Sequence, residues 1–421
     1  FTAERNTFTN VPRAISLYAP RTNSTFLPST IDKYNTAYSD AYQVPAANQN
    51  ITISGNSIDI SGEDAYNKDY EKSGIFITGY IQTTQKAPEN NDGDTLPAGN
   101  YFISGVTIAG NTITTHQGNG IILYDVQNAT VTSNTGNYND TADKAYRGIL
   151  VGNSSSSVVV SQNQINYFPS AGIECTDSSG VQVLNNNIFP AADGILIANS
   201  KQCAINSNSI SNMRTFSPYQ NGAICLTRGS VANSITGNNI SDFIGDAIVI
   251  KDISQAVTVS SNNITASKGT GIYVAASMAA SIKDNYIGKA CIDKKDYGAI
   301  CLGAGATVTK LEKNTVDAPY AFGIQVNEAS VETIANNTVK KPVNYGILIY
   351  NRANVKKLDK NSVTNGSSLG IHIENTSGEL TVSSNTVTKC GTAQIFVNRK
   401  DDSPCVTLTG NKVTGTAKTD G

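Results

Sequence analysis

The sequence has no tryptophan, two histidines and two methionines, and only 15% of its 421 residues carry a charge. The net charge of −2 argues against nucleic acid as a general partner, which would want a basic face. Seven cysteines form no C-x-x-C pair, and no histidine stands at metal-ligand spacing from them, so no zinc centre is expected. An odd count leaves at least one thiol free unless it pairs with another chain. No apolar run reaches membrane length, so no membrane insertion is expected. No 3.6-residue apolar stripe appears either, which removes helices as the main element.

What the sequence does have is a repeat. Asn6, Asn56, Asn111, Asn134, Asn163, Asn186, Asn208, Asn238, Asn262, Asn285, Asn314, Asn337, Asn361, Asn385 and Asn411 recur down the chain, and all but Asn6 and Asn134 open a short Asn-x-Ile/Val run. A turn and a Gly/Ala-Ile-x-Ile/Val run follow. Alternating apolar residues mark strands with one face inward. Gly, Asn, Ser and Thr supply turn chemistry between them, with no crossover helix. The economical arrangement is a coil of parallel strands, one turn per repeat, with the Asn amides bonding from coil to coil. About 15 coils at about 4.8 Å each give a rod of roughly 70 Å. A repeat array grows without splitting, so residues 1–421 are expected to form a single solenoid domain with long inserted loops at 19–48 and 78–102. Both ends lie within or beside a repeat, and the chain is read as a piece of a larger secreted or cell-surface protein. The Leu-x-x-Leu-x-Leu register of the rival leucine-rich solenoid is missing.

With this repeat the chain resembles the right-handed parallel β-helix superfamily of pectate lyases and polygalacturonases. The resemblance implies an all-β fold and activity on carbohydrate. At residue level it rests on Ala191-Ala192-Asp193-Gly194, which resembles that family's Asn-Thr-Asp-Gly segment, and on Gly245-Asp246-Ala247-Ile248, which resembles Asp-Asp-Cys. Gly-His-Gly and Arg-Ile-Lys segments have no counterpart after Asp246. Asp193 and Asp246 open Gly/Ala-Ile strands two coils apart, with Gly222 between them. Their carboxyls are expected about 6.5–9.5 Å apart, the separation of an inverting glycosidase. A glycoside hydrolase using these two Asp residues is the leading expectation. The bland alternative is that each Asp bonds its own turn.

A second cluster, Glu174, Asp177, Arg228, Lys251 and Asp252, offers a base and carboxylates for a polysaccharide lyase, with Ca²⁺ a cofactor only in that case. Otherwise it is a surface ion-pair network. An acidic run at 88–94 is a further place for Ca²⁺, or a solvated loop. Insertions at 137–146, 212–220 and 289–297 bring Tyr146, Tyr219 and Tyr297, candidate platforms for sugar rings or loop anchors. A non-catalytic adhesin or stalk is the alternative function. The residues between the two apolar positions of each Gly-Ile strand form a mostly apolar row: Ile122, Leu150, Glu174, Leu196, Cys225, Val249, Tyr273, Cys301, Gln325, Leu348, His372 and Phe396. If the row faces out, another domain or a second copy is expected to cover it.

Overall fold

The computed structural model describes residues 1–11, 13–18, 50–61, 72–82, 99–101, 103–140, 145–190, 192–211, 222–398 and 405–415. The loop 19–48, the acidic run 88–94 and the insertion 212–220, with Tyr219, lie outside them. Each regular coil has three strands. Asp193–Ala198, Cys203–Asn206 and Ser209–Ser211 make one such coil. The first and second strands of all coils belong to one 27-stranded parallel sheet, and the third strands form a 15-stranded parallel sheet. The expected all-β parallel β-helix of about 15 coils is therefore the fold. A short antiparallel pair, Tyr80–Gln82 with Gly99–Tyr101, lies at the two ends of the second long loop.

The coil bends where the chain tolerates left-handed backbone. Asp125, Asn153, Asp177, Asn199, Arg228 and Asp252 take positive φ at the corner between first and second strands. Asx side chains suit that conformation because they bond locally. In two coils the strand pairing continues through this corner, so that first and second strands run on as Ile248–Ser260 and Ile272–Lys283, although Asp252 and Ala276 within them keep positive φ.

At the corner before the third strand the Asn residues pile into a column. Each backbone N–H donates to the Oδ1 of the next Asn at 2.9–3.1 Å from Asn6 to Asn411. The side-chain amide bridges neighbouring coils as well. Asn238 Nδ2 donates to Asn262 Oδ1 at 2.9 Å and to the Ile205 carbonyl of the preceding coil at 3.0 Å. Asn238 is fully buried, so this bonding meets the hydrogen-bond demand of an amide removed from water. Between the strands lies a core of stacked Ile, Val and Leu, such as Ile195, Ile224, Ile248 and Ile272. A second, shorter column joins it: Ser155, Ser178, Ser200 and Ser230 are buried, and Ser178 N–H donates to Ser200 Oγ at 3.1 Å.

Glycine opens most first strands for a steric reason. A Cβ at Gly148 would lie 2.5 Å from the Gly172 carbonyl and 2.4 Å from Ile165 Cγ2. The residue before this glycine and the residue between the two apolar positions share the outer side of the sheet. A Cβ on Gly222 would meet Val249 Cγ2, and one on Gly298 would meet Gln325 Cβ. The outer face thus carries an opening row and a middle row.

The middle row does not face water as its composition implied. Ile122, Leu150, Cys225, Val249, Cys301 and Leu348 are buried within the chain itself. Leu196 and Tyr273 are half-buried, and Phe396 is 44% exposed. The chain itself therefore covers most of the apolar stripe, with Phe396 its most exposed member. Part of the cover comes from the insertion 289–297, whose Asp296 carbonyl accepts from Gln325 Nε2 at 3.1 Å.

Candidate functional site

Asp193 and Asp246 both stand in the opening row. Coil succession places Asp193, Gly222, Asp246 and Thr270 side by side, because Ala223 N–H donates to the Asp246 carbonyl and Ala247 N–H to that of Thr270. Two coil steps separate the two aspartate backbones by about 10 Å. Cys225 lies between them in the middle row. Burial first, then the Asp193 carboxylate, pushes its thiol up to about 12, with Lys251 opposing and Asp246 adding.

Each aspartate has a structural bond. Asp193 Oδ1 accepts the N–H of Gly222 at 3.0 Å, and Asp246 Oδ1 accepts the N–H of Thr270 at 2.7 Å. Asn119 makes the same bond to the N–H of Arg147 at 2.8 Å without a carboxylate. The bond is therefore a device of the opening row, used by any Asx side chain placed there. Asp193 is only 1% exposed. Asp246 is further engaged by Lys294 Nζ, which donates to Oδ1 at 3.0 Å and to Oδ2 at 2.9 Å. Lys294 also lies 5.3 Å from the centroid of the Tyr297 ring, and Tyr297 packs edge-on against Tyr273 at 6.4 Å. Tyr297 keeps 41% of its surface exposed.

The second cluster is divided. Glu174 stands in the middle row and takes the Arg147 Nε at 2.8 Å, a half-buried ion pair reaching diagonally from one coil to the next. Asp177, Arg228 and Asp252 sit instead at the left-handed corner, where Asp177 accepts from Asn199 Nδ2 and from Thr176 Oγ1. None of the ion pairs among the described residues uses Arg228, Lys251 or Asp252. No group of three potential metal-ligating side chains occurs among the described residues. Tyr146 is half-buried, with its ring 6.0 Å from that of core residue Tyr138, and anchors its insertion.

Lys294, the Arg147–Glu174 pairing and Tyr273 are absent from the sequence-based site. Lys294 falls in the 289–297 insertion, which flagged the region. Its meeting with Asp246, 48 residues away, depends on the stacking of coils and on the path of that loop.

The parallel stack, its three-stranded coils and the buried Asn column define a β-helix. The family described as right handed beta helix region matches residues 101–242 and 221–387, and the chain belongs to that family. No curated protein matches the chain in sequence. Similar solved structures include the catalytic unit of a thermostable α-1,3-glucanase from Streptomyces thermodiastaticus, at 15% identity over 86% of this chain and 61% of that one, TM-score 0.38. A periplasmic alginate epimerase is 11% identical over 86% of this chain and 84% of that one, TM-score 0.35. A surface adhesin of Streptococcus pneumoniae is 13% identical over 75% and 83%, TM-score 0.41. The chain spans about three fifths of each of three α-1,3-glucanase structures, 61%, 62% and 64% of their lengths. These likenesses concern the fold.

Proposed function

We propose that the chain is a saccharide-binding β-helix working outside the cell or on its surface, with binding rather than turnover as its task. One observation carries the reading: an exposed Tyr297 ring, the Tyr273 ring, the Lys294 ammonium and the Asp246 carboxylate meet on the outer face. Apolar ring faces beside a few charged hydrogen-bonding groups suit a sugar, which has C–H faces and hydroxyl edges. The aspartates are occupied as coil caps, and Asp193 is closed off, which favours binding over hydrolysis. An oxidising exterior is compatible with the cysteines, since six of the seven are buried and Cys405 alone is exposed.

Hydrolysis through Asp193 and Asp246 is the second reading, favoured by the side-chain-free Gly222 between the two acids. Incubation with a polysaccharide panel separates the two. Retention of a glycan without new reducing ends, unchanged in Asp193→Asn, supports binding. Reducing ends lost in Asp193→Asn and Asp246→Asn establish the hydrolase, and an unsaturated product lost on chelation establishes the lyase.

A further inference from the structure

Four successive C-terminal coils carry a single file of rings. Phe322 and Tyr345, in the opening row, stack at 5.3 Å with planes 19° apart. Tyr345 meets the His372 imidazole edge-on at 5.1 Å, and His372 meets Phe396 at 5.3 Å. Phe322 and Tyr345 are half-buried, while Phe396 is 44% exposed. The register Asn327↔Tyr350 and Glu374↔Asn398 sets a polar row beside this file. Each polar side chain lies two residues beyond the middle row on the same strand, hence on the same side of the sheet and about 7 Å further along. His372 is nine-tenths buried, yet neither ring nitrogen has a hydrogen-bond partner, and the nearest charge, Glu374 Oε2, is 3.9 Å from Nε2. A buried polar group left unpaired costs free energy that a ligand hydroxyl can return.

We propose that the file Phe322–Tyr345–His372–Phe396, with its polar border Asn327, Tyr350, Glu374 and Asn398, is a binding platform for a neutral polysaccharide lying along the rod. This rests on the saccharide-binding reading and extends it to a second surface, which adjoins the Asp246–Tyr297 cluster through Gln325, bonded both to the Asp296 carbonyl and to Tyr350. The shape selects the ligand class. A protein partner wants a broad apolar patch with a polar rim. Here the apolar surface is one ring wide, and hydrogen-bonding groups recur at every coil beside it. A pyranose chain offers the matching pattern, with C–H faces for the rings and hydroxyls for His372, Glu374 and Asn398. The border carries one carboxylate and no cation, so an acidic polymer is disfavoured.

The test is affinity electrophoresis of the full chain through gels containing soluble β-glucan, α-glucan, xylan, galactomannan or polygalacturonate. At least one neutral polymer is expected to retard it. Phe396→Ala should weaken that retardation about three- to tenfold. Tyr345→Ala and His372→Gln should weaken it too, with the exposed control Lys356→Ala, on a second strand outside both clusters, unchanged. Phe396 is exposed, so its removal leaves the fold intact, and a thermal melt verifies this. Retardation by any polymer that Phe396→Ala and Tyr345→Ala leave unchanged overturns the platform but keeps the wider saccharide reading. Passage through every gel unretarded overturns both. A wild-type dimer that Phe396→Ala converts to monomer also overturns the platform, in favour of a second copy of the chain.

Discussion

The Asn column and the opening row use the same chemistry with opposite consistency. In the column every described coil places an Asn, and every Asn repeats the bond to the next. In the opening row Asn119, Asp193 and Asp246 cap the following coil, while Ala171, Gly222 and Gly298 do without such a side chain. A coil therefore closes without an opening-row cap but is never seen here without its column Asn. The column belongs to the architecture. The opening row is free to vary, and its particular residues tell what a given stretch of the rod does.

The sharpest way to break this comparison is Asn238→Ala. It removes the acceptor for two Asn208 donors and leaves the Asn208 backbone N–H unpaired in the core. Denaturant unfolding is expected to show a loss of about 3–5 kcal/mol. A loss under about 1 kcal/mol would mean that the column is no more essential than the opening row.

Asp125 carries the next largest effect, because its buried carboxyl is raised to about 6 by burial. The folded state then holds its proton where the unfolded state has released it. Stability should fall as pH rises from about 4 to 6 and stay level above, by about 3 kcal/mol at most. Asp125→Asn should remove this dependence and stabilise the protein at pH 7; an unchanged pH profile of the melting temperature would discard the assignment.

Arg147→Ala should cost about 2 kcal/mol by leaving Glu174 unpaired in the middle row, whereas Arg147→Met with Glu174→Leu should come out near neutral. If the double variant loses as much as the single one, the pair is needed for more than mutual neutralisation. The smallest change is expected for Asp246→Asn, about 1 kcal/mol or less, since an amide oxygen keeps the cap to Thr270 as Asn119 does to Arg147. A larger loss would give the Lys294 contact a structural role.

The fold was legible because the Asn spacing is itself the geometry: one column residue per turn sets the coil. The candidate site was legible only in part. Asp193 and Asp246 do share a face, since both precede a Gly/Ala-Ile strand. Asp177 and Asp252 fall in line with Glu174 by their place in the repeat, but both take left-handed backbone, which carries their side chains to a corner. The middle row looked bare because alternation alone cannot show a loop folding back over a sheet. Gln325, held by Gly298 N–H, the Asp296 carbonyl and the Tyr350 hydroxyl, is where that return path becomes visible.

Successive members of the Asn column are separated by as few as 22 and as many as 55 residues, yet the bond between them keeps its length. Such a scaffold measures itself in turns, not in amino acids. Peptide can be spliced in at a bend without disturbing the storeys above and below, so new recognition surfaces can be acquired one floor at a time.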